Sequence, residues 1–401
     1  MTTVTTTDRC AKEWQIDDQV VQLREWGTEI VHVLPKAPCH RLTIGSAERC
    51  MLRLVDPSGS CAEEHAQLER NRQRWIVRDL HSTYGTWIDG ARRNEAWLEP
   101  GSELGIGSLT LVAESRRLVE LRRFMARLLG WGPGGLLAVD RALRTIRLAA
   151  ARRVPLVLCG RDDLTVVARA IHQRVLGEGR PFVVCDPRRQ EAEANVRTAG
   201  NSETGIAAMQ RALGGSLCVW RHRLPDDFEE LRRGLRDPAS RVQLIVCSEP
   251  RRQLRPSKLD LIEPISIPSL KEREHEIGRI VDECAEEAAA ALFTTITLTP
   301  ADRRWILRHS ASSVCEIEKG TRRLLAILEH GGSLAGAARL LGMASVSLHR
   351  WFERRSGAPC RPGRSASDVP ASPAPMALSG DRPGDLQGRT AAPADLRSTA
   401  E

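Results

Sequence analysis

Residues 75–90 read Trp-Ile-Val-Arg-Asp-Leu-His-Ser-Thr-Tyr-Gly-Thr-Trp-Ile-Asp-Gly, and they predict two short strands around a tight loop. Each half is rich in residues that favour strands, and small or turn-forming residues separate the halves. Runs of the same kind recur on both sides of this stretch, between residues 28 and 114. The spacing predicts an all-β module in the first part of the chain.

Five motifs make this module similar to a forkhead-associated (FHA) domain, a β-sandwich family that reads phosphothreonine in partner proteins. They are T-I-G at Thr43–Gly45, the pair His65-Ala66, W-x-V-x-D-L at Trp75–Leu80, S-T-Y-G-T-W-I-D-G at Ser82–Gly90 and L-x-x-G-x-x-L-x-I-G at Leu98–Gly107. The resemblance implies an FHA domain over residues 27–114, after a polar N-terminal segment, residues 1–26.

The phosphate-binding positions of the FHA family are altered in this chain. A dianionic phosphate is best bound by arginine, but the family's arginine after the first glycine is Ser46 here. Ala62 stands at the family's serine position, and Tyr84 replaces the asparagine that grips the ligand backbone. Thr83 is retained, and Arg49 is close enough in sequence to supply another guanidinium.

The resemblance therefore implies a weak phosphopeptide site. Its predicted residues are Arg49, His65, Ser82, Thr83, Gly85 and Thr86. In the alternative interpretation, His65, Gly85 and Thr86 only hold the loops together. The domain would then dock a partner weakly or without dependence on phosphate.

Residues 155–173, PLVLCGRDDLTVVARAIHQ, predict a buried strand, a turn and a helix at the place where a nucleotide-binding loop would lie. A phosphate-binding loop needs glycines at both ends, a lysine and a serine or threonine hydroxyl. Only Gly160 is present, no lysine is near, and Asp162 and Asp163 precede the helix. Two carboxylates at the positive end of a helix dipole oppose phosphate binding.

The middle of the chain predicts a parallel α/β layer with a helical region after it. A basic amphipathic connector helix is expected at residues 115–135. Strand-like runs then alternate with helical stretches over residues 136–268, and residues 269–329 are helical in pattern. The strand-like runs are PLVLC, PFVVC, GSLCVW and VQLIVC.

Residues 136–329 resemble the AAA+ domain of sigma-54-dependent bacterial transcription activators. The matching motifs are V-A-R-A-I-H at Val167–His172, R-P-F-V-V at Arg180–Val184, A-L-G-G-S-L at Ala212–Leu217 and I-P-S-L-K-E-R-E-H-E-I at Ile267–Ile277. The resemblance implies an AAA+-like α/β subdomain at residues 136–268 and a helical lid at residues 269–329.

The positions that carry ATP chemistry in that family are replaced. ATP hydrolysis needs an acidic pair that holds Mg²⁺ and orients water, but Trp220 and Arg221 stand there. Glu249 replaces a polar asparagine, Cys315 replaces a nucleotide-sensing arginine, and the insertion with the sigma-contacting loop is missing. We therefore expect a degenerate AAA+ domain that is not an enzyme and uses no cofactor or metal.

Residues 330–355 resemble a Fis-type helix-turn-helix. Ala337 and Ala338 allow a close helix crossing, and Gly342 opens the turn. Val346, Leu348 and the Trp351-Phe352 pair are expected in the core. The predicted DNA-binding residues are Ser345, Ser347, His349, Arg350 and Arg354. The alternative is a helical hairpin whose arginines form a solvated face.

Composition narrows the class of protein. The chain has 401 residues and a net charge of +8, so an anionic partner is plausible. Its 11 cysteines contain no CxxC pair, which argues against structural zinc and favours a reduced, cytoplasmic protein. The sequence lacks an apolar run of about 20 residues, so no membrane span is expected. Residues 356–401 are predicted to be disordered because they hold few large apolar residues.

These features predict a multidomain protein: an FHA-like all-β sandwich, an α/β AAA+-like layer with a helical lid, an all-α helix-turn-helix and a disordered tail. The first hypothesis is a non-catalytic bacterial transcription regulator that binds double-stranded DNA as a homodimer or higher oligomer, with helix 316–328 as the dimer contact. The alternative is a signalling adaptor whose FHA-like domain docks a kinase or a phosphothreonine-containing partner. A working sigma-54 activator ATPase is the least favoured hypothesis.

Overall fold

The computed structural model describes residues 19–35, 41–72, 74–161, 163–177, 179–194, 199–237, 239–250 and 262–355. The tail that was predicted to be disordered, residues 356–401, lies outside these ranges. So do residues 1–18 of the predicted polar N-terminal segment and Asp162 of the degenerate loop.

The N-terminal region is a β-sandwich of two sheets. Its strands are β1 (Val20–Glu25), β2 (Val31–Val33), β3 (Arg41–Gly45), β4 (Leu52–Arg53), β5 (Ala66–Asn71), β6 (Arg74–Asp79), β7 (Thr86–Ile88), β8 (Ala91–Arg92), β9 (Glu95–Leu98), β10 (Glu103–Ile106) and β11 (Leu109–Ser115). One sheet has the order β2-β1-β11-β10-β7-β8, and the other has the order β4-β3-β5-β6-β9.

The alternating sequence pattern explains the sandwich core. In β5, Ala66 and Leu68 are fully buried while the residues between and after them are partly exposed. This period of two is typical of a strand with one face on a core. Leu68 belongs to the same buried cluster as Leu104 and Leu111 of the other sheet, so both sheets contribute to one apolar layer.

Two helices follow the sandwich directly, where the sequence predicted one connector helix. They are α1 (Arg116–Leu129) and α2 (Pro133–Arg152). Proline suits the first turn of a helix because its missing N–H would have no partner there, so Pro133 starts a new helix. Gly135 lies inside α2, and a Cβ on it would come within 2.5 Å of the Gly130 carbonyl carbon.

A buried ion cluster joins the sandwich to these helices. The Arg122 guanidinium of α1 donates to Glu114 at the end of β11 and to Asp140 of α2, and both carboxylates are fully buried. The Gly27 N–H of the β1–β2 turn also donates to Asp140, over 2.6 Å. Removing one member of a buried charge cluster leaves the others uncompensated, so the cluster fixes the sandwich on the helices.

The central region is a parallel sheet with helices, as the alternating runs predicted. Its strands are β12 (Leu156–Cys159), β13 (Phe182–Cys185), β14 (Gly200–Ser202), β15 (Ser216–Trp220), β16 (Gln243–Ser248) and β17 (Ile265–Ser266), and its helices are α3 (Leu164–Leu176), α4 (Gly205–Arg211) and α5 (Phe228–Gly234). The strand order is β14-β13-β15-β16-β12-β17, with parallel pairing throughout. The strands β12, β13, β15 and β16 are mainly apolar and buried, as expected of parallel strands covered on both faces.

After β17 the described chain forms helices joined by short loops. They are a 3₁₀ helix (Leu270–Glu276) and the helices α6 (Ile277–Leu292), α7 (Pro300–Ser310), α8 (Val314–Glu329), α9 (Leu334–Leu340) and α10 (Ser345–Glu353). Thr299 and Asp302 form a reciprocal capping box at the start of α7. Across the described ranges, every helix is too short or too polar to cross a membrane.

Candidate functional site

Three loops of the sandwich meet at one end, and backbone hydrogen bonds hold two of them together. Ser46 of the β3–β4 loop donates its N–H to the Ala62 carbonyl over 3.0 Å, and Ala47 donates to the Glu63 carbonyl over 3.2 Å. Gly45 permits this approach, because a Cβ there would lie 2.0 Å from the Glu63 oxygen. The β3–β4 and β4–β5 loops therefore form one rigid unit.

The His65 side chain ties this unit to the third loop, β6–β7. His65 is completely buried. Its Nδ1 accepts the Ala62 N–H over 3.2 Å, so its Nε2 carries the proton and donates to the Gly85 carbonyl over 3.2 Å. Both ring nitrogens are thus committed within the protein, and the ring acts as a brace between loops.

Asp79 fixes the base of the β6–β7 loop. Its carboxylate accepts the hydroxyls of Ser82 and Thr86 over 2.6 and 2.8 Å and the Ser82 N–H over 3.1 Å. Burial alone would raise the pKa of Asp79, but these hydrogen bonds outweigh it and hold the pKa below its usual range. The predicted site residues Ser82 and Thr86 are therefore occupied in holding the loop.

The tip of the β6–β7 loop is exposed. Thr83 is exposed, and the Tyr84 side chain is 59% exposed. Within the described ranges, the Thr83 hydroxyl and the N–H groups of Thr83 and Tyr84 have no acceptor. Gly85 then turns the chain back into β7 with a φ of 74°. Of the predicted site residues, Thr83 is the one whose donors point to a ligand role.

Arg49, the guanidinium proposed from sequence, is paired with carboxylates. Its Nε donates to Glu64 over 2.6 Å and its NH2 group to Glu63 over 3.1 Å. The hydrogen bonds that Arg49 donates to Glu64 and Glu63 raise its pKa above the usual value. The Ser46 hydroxyl, at the family's arginine position, donates to the Cys61 carbonyl over 3.3 Å. A phosphate approaching this side would meet two carboxylates.

One cation beside the loop tip was missed at the level of sequence. Trp87 of β7 pairs with Arg92 of β8 across a hairpin. The Arg92 guanidinium lies so close to Gly85 that a Cβ on that glycine would come within 2.1 Å of its Nε. The Asp89-Gly90 turn between the two strands is typical of a tight hairpin, and it was the available signal for this pairing.

Residues 42–107 match the family model described as the FHA domain. The N-terminal sandwich is an FHA domain. Similar solved structures include one described as a structural and functional analysis of phosphothreonine-dependent FHA domain interactions, at 22% identity, 24% coverage of this chain, 95% of that chain and a TM-score of 0.22. The FHA domain of the CT664 protein from Chlamydia trachomatis has 18% identity, coverage of 23% and 92%, and a TM-score of 0.21.

A third similar structure is Mycobacterium tuberculosis EmbR in complex with a low-affinity phosphopeptide. It has 18% identity, coverage of 27% of this chain and 28% of that chain, and a TM-score of 0.23. No curated protein matches the chain.

Outside the FHA domain, the turn after β12 is closed by apolar side chains and by an indole. Leu164, at the start of α3, is fully buried and lies 3.0 Å from where a Cβ on Gly160 would be. The Trp220 indole, at the end of β15, donates to the Thr165 hydroxyl over 3.1 Å. Thr165, in the first turn of α3, is therefore bonded to Trp220, one of the two residues at the position where the AAA+ resemblance implied Mg²⁺-binding acids.

Metal and disulfide chemistry find no support in the part of the chain that the structure describes. There, no three His, Cys, Asp or Glu side chains come together as a metal site requires. The eight cysteines in those ranges are free thiols. Burial raises the pKa of Cys185 to about 12 and that of Cys315 to about 12, so these thiols pack as small apolar groups.

The C-terminal helices α9 and α10 are joined by a short turn. Ala337 and Ala338 are buried, and a left-handed Gly342, with φ of 62°, lies in the turn. Leu348 and Trp351 are buried as expected, but Val346 is 62% exposed, so its predicted core position was wrong. The rotation of α10 that buries the other two residues directs Val346 to solvent.

The predicted DNA-binding residues lie on α10 or directly after it and, apart from the half-buried Ser347, are exposed. They are Ser345, Ser347, His349, Arg350 and Arg354. His349 contacts Glu353 over 3.1 Å, which places a carboxylate among them. The helix proposed as a dimer contact, α8, buries its Ile317, Leu324 and Leu325 within the chain, so its apolar face is already covered.

Proposed function

We propose that this chain is a non-catalytic docking protein whose FHA domain binds a threonine-phosphorylated segment of a partner protein. The β6–β7 loop carries the proposal: Asp79 and His65 hold it from below, while Thr83 and Tyr84 are exposed at its tip with unused donors. A loop held in one conformation loses little entropy on binding. Phosphorylated motifs are the ligands that FHA domains recognise.

A peptide array tests this function. The full chain is applied to immobilised peptides that carry phosphothreonine, threonine or glutamate at one fixed position within randomised flanks. We expect retention on phosphothreonine spots only, and loss of that retention for Thr83→Val. Equal retention on the threonine spots would contradict the proposal.

The α/β region serves as a scaffold in this proposal. The Trp220–Thr165 bond supports it, since it engages the hydroxyl of the segment where a nucleotide site would offer a serine or threonine to Mg²⁺. We also propose that this region is a degenerate AAA+ domain, on the motifs at Val167–His172 and Ile267–Ile277. In that case the region keeps the layered core of the family and has lost its nucleotide chemistry.

A reducing compartment, the cytoplasm, suits the protein. The described cysteines are free, and several lie in the buried strands, such as Cys159, Cys185 and Cys247. Such thiols persist where glutathione keeps them reduced.

DNA binding through α9 and α10 is a second candidate function. The two short helices joined at Gly342 support it, together with the exposed Arg350 on the second helix and the exposed Arg354 directly after it. A recognition helix needs polar and cationic side chains near the major groove. The exposed Val346 and Glu353 on the same helix weigh against a high affinity.

Gel-shift titration with duplex DNA tests this second candidate. We expect binding that weakens steeply with salt and is lost in the double variant Arg350→Ala, Arg354→Ala. A matched control is Arg303→Ala and Arg304→Ala, on α7. Absence of any shift at low salt would exclude the candidate and leave the FHA proposal untouched.

A further inference from the structure

The side of the FHA domain that carries Arg49 is unsuited to a dianion. Arg49 is shared between Glu63 and Glu64, and Arg53 is paired with Glu48 over 3.4 Å. Three exposed carboxylates and two paired guanidinium groups leave this side with a net charge of −1. A phosphate would have to displace existing ion pairs and approach like charges.

The other side of the β6–β7 loop carries a cation with no such competitor. Within the described residues, the Arg92 side chain forms no ion pair or hydrogen bond, although its guanidinium lies against Gly85 of the loop. Gly85 is the residue whose carbonyl His65 holds. The cation is therefore placed beside a braced loop, and its donors are unused.

Further unused donors lie on the same loop. The Thr83 hydroxyl and the N–H groups of Thr83 and Tyr84 adjoin Gly85 in sequence and lack acceptors within the described residues. Backbone N–H groups beside a guanidinium form the type of site that binds oxyanions in proteins. Trp87, opposite Arg92 in the hairpin, is 42% exposed and donates its indole N–H to the Tyr84 carbonyl, so the surface also offers an aromatic face.

We propose that Arg92 is the cation that binds the ligand's phosphate, and that it takes the place of the arginine missing at Ser46. This inference rests on the proposed function. The phosphate would lie over the β6–β7 loop tip between Arg92 and the Thr83 donors. The peptide would follow the β7–β8 side of the domain, past Trp87, and would avoid the side with Glu63 and Glu64.

Titration of the full-length chain tests the assignment. The probe is a fluorescein-labelled peptide library with one fixed phosphothreonine, followed by anisotropy. We expect Arg92→Ala to weaken binding by roughly 10- to 100-fold, since hydrogen bonds to a charged group are worth about 1.5–3 kcal/mol. Arg92→Lys keeps the charge without the planar guanidinium, so its affinity should lie between those of the wild type and Arg92→Ala. Arg49→Ala, the matched control, should change affinity by less than about 3-fold.

The outcomes separate this inference from the function on which it rests. If the wild type binds phosphothreonine and Arg49→Ala abolishes binding while Arg92→Ala does not, the inference is overturned and the proposed function stands. If the wild type binds phosphorylated and unphosphorylated libraries equally, the proposed function fails. A thermal unfolding midpoint of Arg92→Ala equal to that of the wild type shows that the loss of binding is not a loss of fold.

Discussion

The β6–β7 loop of the FHA domain and the turn after β12 are both places where a phosphate group could bind, and they differ in what lies over them. In the FHA loop, His65 and Asp79 make their hydrogen bonds beneath the chain, so the Thr83 tip is left open. In the α/β turn, the Trp220 indole bonds to Thr165 at the first turn of α3. Side chains hold both loops through hydrogen bonds. Only in the FHA loop do these side chains lie on the buried side and leave the tip free.

The two regions differ in which side chains lie beside the loop. The FHA domain has Ser46 where the family has arginine, yet the cation Arg92 lies against the same loop. The α/β turn lacks lysine, and the described residues there bring an aromatic ring and a buried leucine instead. The FHA loop thus keeps a cation beside its open tip, whereas the described residues of the α/β turn offer no cation of that kind and their threonine hydroxyl is engaged by Trp220.

The largest expected effect tests whether the buried ion cluster holds the FHA domain on the helices α1 and α2. Arg122→Ala removes the cation that bridges Glu114 and Asp140. Uncompensated buried carboxylates should lower the free energy of unfolding by about 3–5 kcal/mol. Urea unfolding followed by tryptophan fluorescence measures it, with the exposed Arg123→Ala as control. Equal midpoints for the two variants would show that the cluster does not join the regions.

The second-largest expected effect follows from removing the His65 ring, which holds the loops of the FHA domain together. His65→Ala leaves the Ala62 N–H and the Gly85 carbonyl without their partner and opens a cavity, so we expect a loss of about 2–4 kcal/mol in unfolding free energy. Phosphopeptide binding should fall with it, because the loop tip is no longer fixed. Thr83→Val is the control that should lose binding without losing stability. A stable His65→Ala variant would mean that the loop is held by other contacts.

The third effect concerns the filled turn. Isothermal titration with Mg·ATP should show no binding to the wild type, since the turn has no lysine and Trp220 and Arg221 stand where the AAA+ resemblance implies an acidic pair for Mg²⁺. Trp220→Ala should remain unable to bind, while its unfolding free energy falls by about 2 kcal/mol because the ring is partly buried. Micromolar Mg·ATP affinity in either protein would contradict the scaffold assignment.

The smallest effect is a pH dependence at the FHA loop. The pKa of Asp79 is lower in the folded chain than its usual value. Asp79 therefore stabilises the fold above the ordinary carboxyl pKa of about 4, and this contribution is lost as the pH falls through the lower folded pKa. Urea midpoints at pH 7 and pH 3 should differ less in Asp79→Asn than in the wild type. Asp226→Asn, on an exposed carboxylate, should keep the wild-type difference.

Periodicity predicted most of the framework. The four apolar runs of the α/β region became β12, β13, β15 and β16, because buried parallel strands are continuous apolar segments. The sandwich followed from alternation and from motifs such as Ser82–Gly90. These signals are local in sequence, so they can be recognised without knowledge of tertiary contacts.

The missed features depend on contacts between distant segments. The carboxylates that occupy Arg49 come from another loop, and the place of Arg92 depends on the hairpin register that sets it opposite Trp87. The exposure of Val346 depends on how α10 is rotated against its neighbours. A sequence pattern can point to such residues, but it does not predict which side chains they contact in the folded protein.

The affinity ratio between matched phosphothreonine and threonine peptides tests the central claim most directly. The peptide selected on the array is titrated into the full chain in both forms, for the wild type and for Thr83→Val. We predict a ratio of at least about 100 for the wild type, given charge-assisted bonds worth about 1.5–3 kcal/mol each, and a ratio reduced at least about 10-fold in the variant. A wild-type ratio near one would contradict the claim that the β6–β7 loop tip is a phosphate-binding surface.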